Sequence, residues 1–320
     1  MEKKMKKWFL GFAGLGLWTV QLFSLENDFP NIKPTGFAKA RYTVDATAGA
    51  KDGFSIAQAR LGIKGDITKD VSYTFSLEKT NKEAENSKSL YDAYMDIKSI
   101  SYFAVRLGQF KYKFSLENVI PDADLELINK SDVVSNLVSP TRDIGIEISK
   151  VLSIKSLKSD LSVATVNGSG SNCSDDNDNK AIIGRILLSP VNDLSFGGSI
   201  YSGTISTNTT AKDRLGFEIK YQLKKLLCKA EYLHGKDGSI KKEGYYLTGG
   251  YEILPKIFFF TRYDMWDSSL KVIESKNSRW TFGLNYFIDK NVLIRNNYER
   301  KVESPSIKND LVMSELQIKF

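Results

Sequence analysis

Residues 311–320, LVMSELQIKF, end the chain with apolar and polar residues in alternation. Successive side chains of a β-strand point to opposite faces, so this stretch predicts a strand with two unlike faces. The apolar face carries Val312, Leu316, Ile318 and Phe320, and the polar face carries Glu315, Gln317 and Lys319. A strand of this kind, with an aromatic residue at its end, is typical of the last strand of a barrel that closes within a membrane.

The start of the chain predicts a secretory signal peptide over residues 1–24. Four lysines within residues 3–7 precede an apolar stretch from Trp8 to about Phe23, and the small residue Ser24 stands next to the expected cleavage site. A signal anchor or a membrane-spanning helix is the alternative, but the stretch is shorter than the roughly 20 apolar residues that a spanning helix needs. Residues 25–320 are therefore expected to form one exported domain.

The composition argues against several classes of protein. The net charge is +7, from 45 basic and 38 acidic residues, and both signs are interspersed beyond the leader, which argues against nucleic-acid binding. Two cysteines, Cys173 and Cys228, are too few for a disulfide scaffold, and their contexts place them far apart. The single histidine, His234, argues against a histidine-based metal site or catalytic triad. We expect no enzymatic activity, no cofactor and no metal.

The rest of the chain repeats the alternation of the last strand. In residues 71–79, for example, Val71, Tyr73 and Phe75 alternate with Ser72 and Thr74. Sixteen segments are predicted as strands: 35–45, 54–66, 71–79, 89–98, 101–110, 142–150, 157–167, 180–189, 192–203, 212–223, 226–235, 243–254, 256–267, 277–288, 291–301 and 308–320. This pattern predicts an all-β protein, a 16-stranded antiparallel transmembrane barrel.

The connections between these segments support a membrane barrel over a soluble β-sandwich. Short turns, such as residues 67–70, 223–225 and 254–256, alternate with longer polar loops, such as residues 45–53 and 167–179. Short turns on one rim and long loops on the other are the layout of outer-membrane barrels. A sandwich has strands of similar length, but nothing requires every second loop to be long.

The width of such a barrel decides which face points outward. Sixteen strands enclose a lumen that side chains cannot fill, so the apolar face is expected to contact lipid. Aromatic residues near strand ends are consistent with the girdles of a membrane barrel, although aromatic residues are also good strand formers. The candidates are Tyr73, Tyr102, Tyr263, Trp266, Trp280 and Tyr298.

One connection, residues 111–141, is too long for a simple hairpin and is rich in apolar residues. Loops of this length are usually functional or disordered. Its apolar content favours a loop that folds back into the lumen, packs on the wall and narrows the pore. Residues 122–132, DADLELINKSD, are expected to form a helical turn.

Four blocks in the first half of the chain resemble the phosphate-selective porin O and P family. They are GFSIAQARLGIKGDITKDVSYTFSLE (53–78), LYDAYMDIK (90–98), VRLGQFKYKFSLEN (105–118) and RDIGIEIS (142–149). The resemblance implies a trimeric, sixteen-stranded outer-membrane porin that passes anions such as phosphate along arginine and lysine side chains. It also implies that Phe320 is the terminal signal read by the outer-membrane assembly machinery.

Two departures from the family pattern bear on selectivity. The family often reads IRRAR where residues 56–60 read IAQAR, so that Arg60 is the only arginine of this run in the present chain. Lys113 replaces the proline that usually follows FKY. The first change argues against a tight phosphate site, and the second adds a positive charge near the expected constriction.

The strand alternation identifies candidate residues of the pore lining. A pore sorts solutes by its width and by the charges along its wall, and the planar guanidinium of arginine suits oxyanions. The predicted pore-lining and anion-contacting residues are Lys39, Arg41, Gln58, Arg60, Lys64, Arg106, Lys111, Lys113, Arg214 and Arg295. We expect Arg41, Arg60, Arg106, Lys111 and Lys113 to form a cationic patch. Carboxylates also face inward, and if they pair with these cations the channel would be weakly selective.

The sequence therefore predicts passive diffusion of small hydrophilic solutes, with a preference for anions such as phosphate. The expected partners are outer-membrane lipid, the solutes, two further copies in a homotrimer and the assembly machinery, and no nucleic acid. A weakly selective general porin is the alternative within this class. A barrel enzyme and an adhesive or structural barrel are the rivals from other classes, and channel activity in planar bilayers separates them from a porin.

Overall fold

The computed structural model describes residues 29–80, 90–98, 102–205, 210–272 and 275–320. The predicted signal peptide lies outside the described residues. Within them, sixteen strands form a closed barrel in which every strand is antiparallel to its sequence neighbours and β16 pairs with β1. The strands are Lys33–Asp45 (β1), Gly53–Asp66 (β2), Val71–Thr80 (β3), Leu90–Ile97 (β4), Ala104–Lys111 (β5), Arg142–Ile154 (β6), Leu157–Val166 (β7), Ala181–Val191 (β8), Leu194–Thr204 (β9), Ala211–Leu223 (β10), Leu226–Asp237 (β11), Ile240–Leu254 (β12), Ile257–Asp267 (β13), Lys276–Phe287 (β14), Val292–Val302 (β15) and Leu311–Lys319 (β16). The predicted fold class is confirmed.

The connections define two unlike rims. The turns at residues 155–156, 192–193, 224–225 and 255–256 lie on what we call the short-turn rim, and the segment 112–141 leaves the opposite, loop rim. One connection of the loop rim is shorter than predicted, because β11 and β12 extend to Asp237 and from Ile240 and leave a two-residue turn. Gly238 has a positive φ of 58° there, the backbone conformation that two-residue hairpins need and that glycine adopts readily.

The two faces of the wall are reversed relative to a soluble protein. On β3, Phe75 and Leu77 are 41% and 42% exposed, whereas Ser76 and Glu78 are 5% and 7% exposed. Apolar side chains therefore cover the outside of the barrel, and polar side chains line the inside. This arrangement confirms the predicted orientation and suits a barrel surrounded by lipid.

Aromatic side chains cluster on the outer face of neighbouring strands. The rings of Tyr263 and Trp280 are 5.0 Å apart, and those of Tyr42 and Phe54 are 4.7 Å apart. Trp266 was expected in the same girdle, and this prediction is wrong. Its side chain is 7% exposed and belongs to the buried apolar cluster under the inward loop. On β13 it shares the inward face with Asp264, so the alternation itself places it away from lipid.

The segment 112–141 carries two short helices, Leu116–Val119 (α1) and Asp132–Leu137 (α2). Serine side chains cap both, because the Ser115 and Ser131 hydroxyls accept the backbone N–H groups of Asn118 and Val134. The helical turn expected over residues 122–132 is absent, apart from Asp132 at the start of α2. No helix among the described residues is long and apolar enough to cross a membrane.

Glycines on the inner face of the wall make room for this segment. A Cβ on Gly235 would lie 2.5 Å from Leu137 Cδ2, and a Cβ on Gly283 would lie 2.5 Å from Leu127 Cδ2. The segment therefore packs directly against the backbone of the wall, with Val133 and Leu137 fully buried. We call residues 112–141 the inward loop.

Candidate functional site

The inward loop is hydrogen-bonded along its length to side chains of the barrel interior. Gln317 Nε2 donates to the carbonyl of Ala123 at 2.9 Å, and Arg295 Nη1 donates to the carbonyl of Leu125 at 2.6 Å. Asn285 Nδ2 donates to the carbonyl of the next residue of the loop, at 2.8 Å. Residues 123–126 thus run along β14, β15 and β16. Polar wall side chains replace the water that these carbonyls would otherwise bind.

A buried cluster of charged side chains fixes other parts of the inward loop to the wall. Arg262 on β13 is 1% exposed and contacts Glu117 of the loop at 3.0 Å and Asp264 of its own strand at 3.1 Å. Glu117 also accepts hydrogen bonds from the backbone N–H and the hydroxyl of Ser131, at 2.7 and 2.9 Å. On β11, the Glu231 carboxylate accepts the N–H group of Leu116 at 2.9 Å. These contacts join both short helices of the loop to the wall.

Asp122 of the inward loop contacts two cations of the wall and one cation of the loop itself. Its carboxylate forms salt bridges with Arg60 at 2.5 Å, Lys111 at 3.4 Å and Lys130 at 3.5 Å. The Tyr91 hydroxyl donates to the same carboxylate at 2.7 Å. Burial alone would raise the pKa of Asp122, but the surrounding cations hold it well below its usual value. We call Asp122 with Arg60, Lys111 and Lys130 the Asp122 cluster.

A cavity of about 440 Å³ opens beside this cluster, between the inward loop and β1, β2, β14, β15 and β16. We call it the vestibule. Its basic lining residues are Lys39, Arg41, Lys130, Arg279 and Lys301, and its acidic lining residues are Asp122, Asp132 and Glu299. Five basic against three acidic side chains leave an excess of two positive charges.

A second cavity of about 160 Å³ lies on the side of the short-turn rim. Its lining includes Asp124, Lys290 and Lys319, and Leu125 lines both this cavity and the vestibule. Residues 122–126 of the inward loop therefore separate two water-accessible spaces of the lumen.

The structure places the predicted pore-lining residues in several groups. Lys39, Arg41 and Gln58 line the vestibule, and Arg60 and Lys111 belong to the Asp122 cluster. The other predicted residues lie elsewhere: Arg106 and Lys113 near Glu147 on β6, Arg214 at the end of α2, Arg295 against Leu125, and Lys64 exposed near the short-turn rim. The expected single patch is thus divided between two parts of the wall. Contact with a solute stays a prediction for every one of these residues.

Most of the predicted cations already have a carboxylate partner. Arg41 and Arg295 both contact Glu315, each at 2.6 Å. The remaining pairs are Arg106 with Asp96 at 2.7 Å, Lys113 with Glu147 at 3.1 Å and Arg214 with Asp237 at 2.7 Å. Gln58 Nε2 donates to Glu78 at 2.8 Å. Lys39 instead donates to the backbone carbonyl of Asp122 at 2.8 Å. The wall therefore carries paired charges, which hold its shape and weaken its net field.

Three basic residues of the vestibule were not among the predicted site residues. Arg279 and Lys301 occupy inward positions of β14 and β15, so strand alternation alone identifies them. No salt bridge joins Lys301 to another residue in the described part of the chain. Lys130 lies in the inward loop, where no strand pattern indicates its direction.

Comparisons with known proteins agree with this architecture. The sequence profile of the family described as phosphate-selective porin O and P matches residues 35–224. A search of curated protein sequences finds no match. Among solved structures, the chain is similar to an anion-selective porin from Comamonas acidovorans, with a TM-score of 0.70, 14% identity and coverage of 91% of this chain and 99% of that chain.

Two further structures show the same fold. The outer membrane channel DcaP of Acinetobacter baumannii has a TM-score of 0.67 and 12% identity, over 92% of this chain and 99% of that chain. OmpT of Vibrio cholerae in its trimer form has a TM-score of 0.67 and 10% identity, over 92% of this chain and 100% of that chain. At these identities the structures share a fold with this chain.

Proposed function

The chain belongs to the phosphate-selective porin O and P family, and on this basis we propose that it is a passive outer-membrane channel for small hydrophilic solutes with a preference for anions. The observation that carries the proposal is the vestibule, where a closed barrel presents five basic and three acidic side chains beside the inward loop. The family and the fold are those of channels. Solutes move down their gradients, and the protein supplies a polar path through lipid.

The basic side chains of the vestibule lower the free energy cost of moving an anion through a narrow lumen. An anion that loses part of its hydration shell needs other donors, and several weak cationic contacts offset that loss. Lys39 and Arg41 line the vestibule from β1, and Lys301 lines it from β15. The inward loop narrows the lumen in front of these residues, so a passing solute comes within reach of their side chains.

The charges of the wall are largely paired, and this favours a modest preference for anions over strict selectivity for phosphate. Arg60 and Arg106 are both bound to carboxylates, and such pairs present little net charge to a passing ion. A weakly selective general porin is therefore the second candidate. The excess of two positive charges in the vestibule favours the anion-preferring channel over it.

Reversal potentials in planar bilayers across a salt gradient test this proposal. The parent protein should form open channels that favour chloride over potassium. Lys301→Gln should lower the anion-to-cation permeability ratio by about fivefold, because one unit charge at roughly 8 Å in water changes the partitioning of each ion by about twofold, in opposite directions. Lys308→Gln removes the same charge from the exposed loop between β15 and β16 and should leave the ratio unchanged. Absence of channels would reject the porin function, and a cation preference would reject the anion preference alone.

The anion preference should also depend on pH through Asp132. Burial raises the pKa of this vestibule carboxyl to about 6, against the effect of Arg279, which lies 3.0 Å away. When the pH falls through about 6, Asp132 gains a proton, and the vestibule loses one negative charge. The permeability ratio should then rise toward anions by about fivefold, the product of an opposite change of about twofold for each ion. Asp132→Asn should show the higher permeability ratio both above and below this pH. If the ratio of the variant changed with pH as much as that of the parent, the assignment to Asp132 would be contradicted.

We propose that the channel is a homotrimer. Asn296 and Ser314 lie exposed on the outer face of β15 and β16 and share a hydrogen bond of 2.7 Å. On β1, Ala40 lies opposite Leu316, two residues along β16 from Ser314, and exposes only a methyl group. Polar groups facing lipid at this depth are unfavourable, so a second copy that covers this patch would stabilise it. The trimer form of OmpT from Vibrio cholerae agrees with such an assembly. Native mass spectrometry of detergent-extracted protein should give three chains, and a monomer alone would contradict the proposal.

We also propose that residues 1–24 are removed on export and that Phe320 serves as the assembly signal. The backbone N–H and C=O groups of Phe320 pair with those of Gly36, at 3.0 and 3.1 Å, so the last residue of the chain takes part in closing the barrel. Its ring is 61% exposed on the outer face. Amino-terminal sequencing of protein from the outer membrane tests the cleavage. An unchanged outer-membrane yield of Phe320→Ala would contradict the assembly role.

A further inference from the structure

We propose that the carboxylate of Asp122 is a tethered counter-ion, which occupies a place where the cations of the Asp122 cluster would otherwise hold a small oxyanion. This inference rests on the proposed channel function and names the residue that limits its anion selectivity. Asp122 belongs to the inward loop, while Arg60 and Lys111 belong to the wall. The protein's own chain therefore supplies the anion at this site.

The geometry is that of an oxyanion held by several donors. The Asp122 Oδ2 atom accepts Arg60 Nη2 at 2.5 Å and the Tyr91 hydroxyl at 2.7 Å. The Oδ1 atom faces Lys111 Nζ at 3.4 Å and Lys130 Nζ at 3.5 Å. Both oxygens are thus surrounded by donors that would equally suit a phosphate or a carboxylate from solution.

An aromatic stack orients the arginine of this site. The Arg60 guanidinium lies 3.8 Å from the centroid of the Tyr91 ring. The guanidinium of Arg142, which belongs to β6, lies 3.4 Å from the same centroid. Stacking on an aromatic ring holds a guanidinium in one plane. Arg60 is therefore preorganised, and Lys111 is held by the carbonyls of Asn118 and Ile120, at 2.8 and 3.2 Å. Both donors would remain in place without the Asp122 charge.

The site is open to the solute path, and its carboxylate carries a negative charge at neutral pH. Asp122 lines the vestibule although its side chain is 9% exposed. Its depressed pKa keeps the carboxylate ionised. Within the cluster and its neighbour Glu78, three cations face two carboxylates. Loss of the Asp122 charge would leave three cations facing one carboxylate, at the edge of the vestibule.

The inward loop provides a matched control for this charge. Asp124 lies two residues farther along and pairs with Lys319 at 2.5 Å, but both side chains are more than two-fifths exposed. Asp124 lines the smaller cavity and not the vestibule. Asp122→Asn and Asp124→Asn therefore remove equal charge from one loop, and only the first removes it from the cluster.

The experiment compares these variants with the parent protein in planar bilayers. Asp122→Asn should raise the chloride-to-potassium permeability ratio by more than about tenfold, because one unit charge at about 4 Å in water changes the partitioning of each ion by about fivefold, in opposite directions. Its chloride current should also become inhibited by added inorganic phosphate, in a saturable manner. Asp124→Asn should change the ratio less and show no such inhibition, and Asp122→Glu should behave like the parent. Equal behaviour of Asp122→Asn and Asp124→Asn in both measurements would overturn the proposal.

A second variant covers the case in which Asp122→Asn does not fold. Lys130→Gln keeps the carboxylate and removes one of its partners, so it should shift the permeability ratio toward potassium; an unchanged ratio would count against the tethered counter-ion. Failure of the proposed function is distinguishable in the parent protein, because absence of channels would reject the porin function and a potassium preference would reject the anion preference alone. The changes predicted here are measured relative to the parent, whatever its own preference.

Discussion

Replacing residues 115–138 by a short glycine–serine linker should raise the single-channel conductance severalfold. The inward loop fills part of a lumen that the wall of sixteen strands would otherwise leave open as a wide aqueous channel. The linker can be short because β5 and β6 are adjacent, with Lys111 opposite Arg142 at the point where the loop leaves the wall. Conductance in planar bilayers at fixed salt is the measurement.

The closed barrel should survive this replacement. Wall residues that now bind the loop, such as Arg262 and Arg295, would face water in the open lumen, so their charges would be solvated and not stranded. A matched control replaces residues 304–308, in the connection between β15 and β16 on the loop rim, with the same linker, and its conductance should equal that of the parent. An unchanged conductance in the first variant would show that the inward loop does not form the constriction.

Strand alternation predicts most of the fold, because it depends only on residues that are close together in the sequence. On β14, Trp280 and Phe282 alternate with Arg279 and Thr281, and the structure exposes the first pair and buries the second. Once alternating segments are joined by short turns, antiparallel pairing of neighbours follows. The connection between β11 and β12 is shorter than predicted, and the reason is again a local feature of the sequence. Residues 236–242 contain enough charge to suggest a loop, but Gly238 allows a turn of two residues.

The candidate site was harder to predict, because its contacts join residues far apart in the sequence. Alternation correctly places Arg60 on the inner face, but it cannot show that Asp122 lies 2.5 Å away. The same limit applies to Arg295, whose inward direction was predicted and whose partner Leu125 was not. Which cations remain open to a solute depends on how the inward loop packs, and no periodic pattern encodes that packing.

The buried cluster around Arg262 should control how firmly the inward loop is held. Arg262→Met removes the cation between Glu117 and Asp264, whose carboxylates lie 3.0 and 3.1 Å from the Arg262 guanidinium. Removal of one partner from a buried ion pair typically costs about 3–5 kcal/mol, because the other charge is left uncompensated. We expect the loop to leave the wall intermittently, which should increase open-channel current noise and expose the loop to chymotrypsin.

Two further variants separate anchoring of the loop from stability of the barrel. Arg300→Met removes an arginine from the exposed outer face of β15 and should leave the current quiet. Glu117→Gln in the Arg262→Met background removes the carboxylate that has lost its cation, whereas Asp264 keeps its contact with Arg279 at 3.2 Å. It should recover part of the lost heat stability, while the noise persists because the ionic contact between the loop and β13 is still missing. Quiet currents in Arg262→Met would instead mean that the hydrogen bonds to the carbonyls of residues 123–126 hold the loop without the buried cluster.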